Sequence, residues 1–127
     1  MALAIDVITR EVSKRLEELT RGFYEVISPP IDMYEEGGEL VIVADMPGFD
    51  KDKINVRIMA DNTLAISAER EIKTTQPVYL AQRPKKIEKR IRLPVKVPKD
   101  AEIIGKYENG ILTLRIPIEG RVKVKIE

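Results

Sequence analysis

Apolar residues recur along the first two dozen positions at steps of three and four. Ile5, Ile8, Val12, Leu16, Leu19 and Phe23 carry that spacing, with Glu, Lys and Arg between them. A period near 3.6 predicts an amphipathic helix over residues 2–21, with Gly22 as its C-cap and Arg21 in the last turn. Ser28-Pro29-Pro30 breaks the pattern, and the period then changes to two. Ile31 to Glu35 alternates. Gly37-Gly38 turns the chain into the more continuous apolar run Leu40 to Ala44, which Pro47-Gly48 closes. Ile54, Val56 and Ile58 alternate with polar residues, Asp61-Asn62 turns, and Leu64, Ile66 and Ala68 alternate again. Residues 71–85 lack periodicity, a long gap for a hairpin and one that points to function. Alternation resumes over Lys86 to Leu93, then over Ile103 to Tyr107 and Ile111 to Ile116, around Asn109-Gly110. That dipeptide is a strong hairpin signal. Short strands separated by turn chemistry predict an all-β, immunoglobulin-like sandwich, preceded by an amphipathic helix and followed by an extension.

The extension ends in Val122-Lys-Val-Lys-Ile126-Glu127, another alternating stretch. One strand is not stable alone, so this segment needs something to bury its apolar face against. The helix has the same need. Its apolar face is either core of the same domain or a docking surface for another subunit or an unfolded chain. A membrane surface suits it poorly, because its polar face is mixed in sign.

Composition narrows the chemistry. A chain of 127 residues, 43% hydrophobic and 34% charged, suits one folded domain. It has no stretch resembling a signal peptide or a membrane span, so the cytoplasm is the default expectation. It contains neither Cys nor His, which removes disulfides, thiol nucleophiles, imidazole bases and the usual zinc ligands. Neither GxxxxGK nor GxGxxG occurs, Asp45, Asp50 and Asp52 lack the pattern of a calcium loop, and no serine has a base in a motif. No cofactor, no metal and no enzymatic activity are expected. Few amide side chains among many charges is a mild thermophile signal.

Net charge is +1, but residues 1–62 sum to −6 and residues 63–127 to +7. The basic stretch Arg83 to Arg92 suggests phosphate binding on the strand face of Lys86, Glu88, Arg90 and Arg92. With no Trp and two Phe, stacking platforms are scarce. An ion-paired contact between subunits, with Glu35, Glu36 and Glu39 as the acidic side, fits better, so no nucleic-acid partner is expected.

Several segments resemble one family. Val41-Ile-Val-Ala-Asp45-Met-Pro-Gly-Phe49 looks like the strand and turn of small heat shock proteins with an α-crystallin domain. Arg92-Leu93-Pro94 looks like that family's R-L-P. Gly105-Lys-Tyr-Glu-Asn109-Gly110-Ile-Leu112 looks like its A-x-x-x-N-G-x-L, and Val124-Lys125-Ile126 like its terminal I-x-I. The short form resembles archaeal members. The resemblance implies a helical arm at 1–28, an α-crystallin domain at 29–117 and a tail at 118–127. It implies that Val124 and Ile126 dock into a groove of a neighbouring dimer, with Val56, Ile58 and Ile104 as acceptors. It implies that Tyr79, Leu80 and Ala81 form an exchanged strand pairing near residues 31–35 of a partner. An ATP-independent holdase follows: a large homo-oligomer of dimers that binds partly unfolded proteins, the face from Ile5 to Phe23 among its contact surfaces. A nucleic-acid module and a β-sandwich adaptor are the alternatives. Gly105 stands where the family usually has Ala, implying a looser strand. Val124 replaces the first Ile, a loss of about 0.5–1.5 kcal/mol by core analogy, so assembly is expected to be more labile.

Overall fold

The computed structural model describes residues 2–121 and 124–127, with side chains from Ile8 onward. Among the described residues one α-helix, α1 (Ala2–Ile27), precedes seven strands: β1 (Ile31–Glu36), β2 (Glu39–Asp45), β3 (Ile54–Ile58), β4 (Thr63–Glu69), β5 (Lys86–Arg92), β6 (Ile104–Glu108) and β7 (Ile111–Pro117). The strands form two antiparallel sheets, in the orders β1-β2-β7-β6 and β3-β4-β5. The all-β sandwich and its leading helix are as the periodicity predicts.

The alternating residues make the core. Leu40, Ile42 and Ala44 of β2 and Leu112, Leu114 and Ile116 of β7 face Leu64, Ile66 and Ala68 of β4, all buried. Register keeps these sets together: Ile42 lies opposite Leu114 and Leu40 opposite Ile116. A slip of one residue would turn each set to solvent. The continuous apolar run of β2 has a separate cause. Val41 is buried on the outer face, in register with Tyr34 and Arg115, whose long side chains flank it.

Three expectations change. Gly22 does not cap α1, which continues through Phe23 to Ile27. An interior glycine costs a helix about 1 kcal/mol relative to alanine but does not stop it; the Ser28-Pro29-Pro30 break does. Ile118 belongs to the sandwich: it is buried in the core, and the Glu119 amide donates to Lys96 O at 2.8 Å. The chain is therefore still anchored at 118, and Arg121 is still tied down by an ion pair to Glu35 at 3.1 Å. Residues 124–127 form no strand, as a strand without a partner would not.

Candidate functional site

The hairpin turns lock the body on which the site is built. Asn109 and Gly110 both have positive φ, 52° and 76°, the form whose twist suits a two-residue hairpin. Their turn lies against Pro47-Gly48. The Met46 amide donates to Gly110 O at 2.7 Å, and the Tyr107 hydroxyl donates to Met46 O at 2.5 Å. A Cβ on Gly110 would meet Pro47 Cα at 3.0 Å. On the other side of that turn stands Arg70. It donates from Nε to Pro84 O at 2.8 Å and from Nη1 to Pro47 O at 3.0 Å, and it covers the Phe49 ring at 4.5 Å. Its guanidinium is held below the usual arginine pKa, first by burial, then by Arg83 nearby, with Tyr107 opposing the shift. Asn62, left-handed at φ 69°, clamps the Arg92-Leu93-Pro94 segment through Nδ2 to Val95 O at 2.6 Å. The sequence signal for Arg70 is its parity. It follows Leu64, Ile66 and Ala68 at an inward position, where a charge must find partners.

Where the two sheets part at β3 and β6, an apolar groove of about 320 Å³ opens. Ile54, Val56 and Ile58 of β3 form one wall. Ile103, Gly105 and Tyr107 form the other, and Leu64, Leu112 and Leu114 lie at its floor. Lys51 and Arg57 are the charged residues at its lining. Beyond Ile58 and Ile103 a second hollow continues past Met59 and Val97. The groove exists because β3 and β6 are both edge strands, so neither sheet extends to close the gap.

Val56 and Ile58 thus line this groove. Ile104 does not: it is 62% exposed and points away, while Ile103 lines the groove. Period two explains the difference, since Tyr107 and Gly105 share the parity of Ile103. Gly105 also has a local reason. A Cβ there would come within 3.2 Å of Leu114 Cδ2, so glycine keeps the groove wall low.

The other candidates are exposed. Val124 is 76% and Ile126 91% exposed, far from the burial typical of aliphatic side chains. Tyr79 and Leu80 stand out from residues 71–85, which form no strand, while Ala81 is half-buried. Strand β1 is a sheet edge with no neighbour beyond it among the described residues. Ile8, Val12, Leu16, Leu19 and Phe23 are all more than half exposed, whereas the side chain of Ile5 lies outside the described residues. The reading of that face as core of its own domain is therefore overturned. The helix touches the sandwich by its polar side instead: Arg21 Nε donates to Arg83 O at 3.1 Å, and Glu25 accepts from the Lys86 amide at 3.1 Å.

Several of the charges expected to meet across subunits have partners within the chain. Glu35 pairs with Arg121, and Glu36 and Glu39 with Arg115. Lys86 pairs with Glu69 and Arg90 with Glu88. These are exposed pairs, each worth about 0–1 kcal/mol. Among the described residues, no group of three or more acidic, His or Cys side chains converges on one point, and no helix is long and apolar enough to cross a membrane.

Comparison with known proteins agrees with the motifs. The family model described as Hsp20/alpha crystallin family matches residues 32–126. An 18.2 kDa class I heat shock protein of Medicago sativa is 32% identical over 105 residues, covering 80% of this chain and 66% of that one. The 18 kDa antigen of Mycobacterium leprae is 29% identical over 116 residues, or 90% of this chain and 77% of that one. Among solved structures, a point mutant of hsp14.1 from Sulfolobus superposes with a TM-score of 0.79 at 60% identity, covering 97% of each chain. Heat shock protein 16.0 from Schizosaccharomyces pombe gives 0.61 at 25% identity, covering 79% of this chain and 94% of that one.

Proposed function

We propose that this chain, which belongs to the Hsp20/alpha crystallin family of small heat shock proteins, is an ATP-independent holdase that captures partly unfolded proteins and keeps them from aggregating. The observation that carries the reading is a pair of complements on one chain. An apolar groove lies open between β3 and β6, and two aliphatic knobs on a tail, Val124 and Ile126, lie almost fully in water. Residues i and i+2 of an extended segment project to the same side, so the two knobs fit one slot together. Docking the tail of one subunit in the groove of another links subunits by many weak contacts, whose sum holds a particle while each one opens readily.

The same reading gives roles to the other exposed segments. Residues 1–28 act as an assembly and client arm, the sandwich from 29 onward as the building block, and the residues after Arg121 as the linking tail. Tyr79, Leu80 and Ala81 pair with the free edge of β1 in a partner, which satisfies a row of open backbone groups. Dimers made this way are joined into a large homo-oligomer by tails. Clients bind the apolar surface that opens when tails leave, and no nucleotide is involved. The cytoplasm is the compartment we assign to it.

The test is light scattering of an aggregation-prone protein during heating, with this chain present and no ATP. Suppression near a 1:1 subunit ratio is expected. Unchanged scattering, at a temperature where this chain stays folded, would reduce the family membership to a statement about fold.

A further inference from the structure

The apolar stripe of α1 has an internal symmetry. Ile8, Val12, Leu16, Leu19, Phe23 and Ile27 are separated by four, four, three, four and four residues. That spacing reads the same in both directions about the point between Glu17 and Glu18. It is also close to an 11-residue repeat, over which an α-helix makes three turns with a remainder of about 20°. The stripe therefore runs nearly straight along the helix. All six residues are exposed, from 46% at Ile27 to 71% at Leu19, and Val26 borders them. The half-buried helix residues are polar, Glu17, Thr20, Arg21 and Glu25, and of these Arg21 and Glu25 bond to the body. Docking by that side aims the stripe outward.

We infer that the stripe of one subunit is covered by the same stripe of a second copy, packed antiparallel. In this register Ile8 lies against the partner's Ile27, Val12 against the partner's Phe23 and Leu16 against the partner's Leu19. Small meets large at Val12 and medium meets medium at the centre, which fills the seam evenly. The borders of the stripe choose the direction. One border carries Glu11, Arg15 and Glu18; the other carries Thr9, Ser13 and Thr20. In an antiparallel pair each border faces its own counterpart, so Arg15 comes opposite the partner's Glu18, twice by symmetry. A parallel in-register pair would set the charged border against the hydroxyl border, where neither charge finds its opposite. The pair stores the arm's apolar face until it opens, and so controls how much of it is offered to other chains.

Disulfide trapping tests this directly, because the chain has no Cys of its own. The double variant V12C/F23C, mildly oxidised in the assembled full chain, should form a linked dimer at least tenfold faster than V12C or F23C alone. In the antiparallel register each single thiol lies 11 residues from its mate, about 16 Å along the axis. I8C/I27C should behave as the first double does, and guards against a local effect of losing Phe23. All four substitutions fall on exposed positions, so the sandwich folds as before. Linkage of V12C alone at the same rate would mean a parallel pair and overturn the inference; absence of linkage in both doubles would overturn self-pairing altogether. The outcome is independent of client protection: a chain that links as expected but does not suppress aggregation would remove the holdase reading and leave the pair standing.

Discussion

Gly110 shows how single residues hold this fold. Its φ of 76° is open to glycine at no steric cost, and Pro47 Cα sits 3.0 Å from where a Cβ would be. Backbone cannot swing aside as a side-chain tip can. Gly110→Ala should therefore destabilise the chain by about 2 kcal/mol, combining left-handed strain with a clash. The check is urea unfolding, where the midpoint should fall with the slope unchanged. An unchanged midpoint would mean that the Pro47 turn yields. Arg70 acts at the same scale. Its planar fork reaches two carbonyls in different segments and covers Phe49, which a lysine cannot do at once.

At the scale of elements, the edges matter more than the centres. β2, β7 and β4 are satisfied on both sides and make the core. β1, β3, β5 and β6 each leave an edge, and the groove is the gap between β3 and β6. If the tail fills that gap, Val124→Ala with Ile126→Ala should dissolve large particles into dimers. Each truncation removes about 1–3 kcal/mol of buried contact per docked tail. Multi-angle light scattering reads the result, and an unchanged particle mass would sink the tail assignment. Ile103 gives a sharper version: Ile103→Asp, on the groove wall, should act like the tail change, and Ile104→Asp, on the outer face, should not.

For the whole molecule, part of the charge asymmetry of the sequence is paired within the fold. The acidic β1–β2 hairpin is paired with Arg115 and Arg121, both from the basic half, within the same chain. Folding itself brings the two halves together. The lack of His has a consequence at this scale. The chain lacks the one side chain whose unperturbed pKa changes its charge between about pH 5 and 8. Arg70 is shifted downward, and a cation whose folded pKa is depressed weighs against the folded state until pH rises into its own, strongly alkaline range. Melting temperature and particle mass should therefore stay flat from pH 6 to 8, in a differential scan and in scattering. A sharp transition within that window would point to the terminal amine or to an interface charge.

The elements were legible in the sequence because each strand buries one face and so must alternate. All seven strands, the helix and the hairpin turns follow from that rule with the chemistry of Gly, Pro and Asn. Pairing and orientation were not legible, since they depend on contacts between residues far apart in the chain. The sequence did not reveal that α1 meets the body by Arg21 and Glu25 rather than by its apolar face, nor that it runs past Gly22. It did not reveal that Glu35 finds Arg121 instead of a partner's arginine. Nor did it say which of the adjacent Ile103 and Ile104 faces the groove: period two sets them on opposite faces, and the pairing of Gly105 with Leu114 and Tyr107 with Leu112 decides which face is inward. Periodicity is a local property and travels with the chain, whereas which edges remain open is decided when the two sheets close on each other.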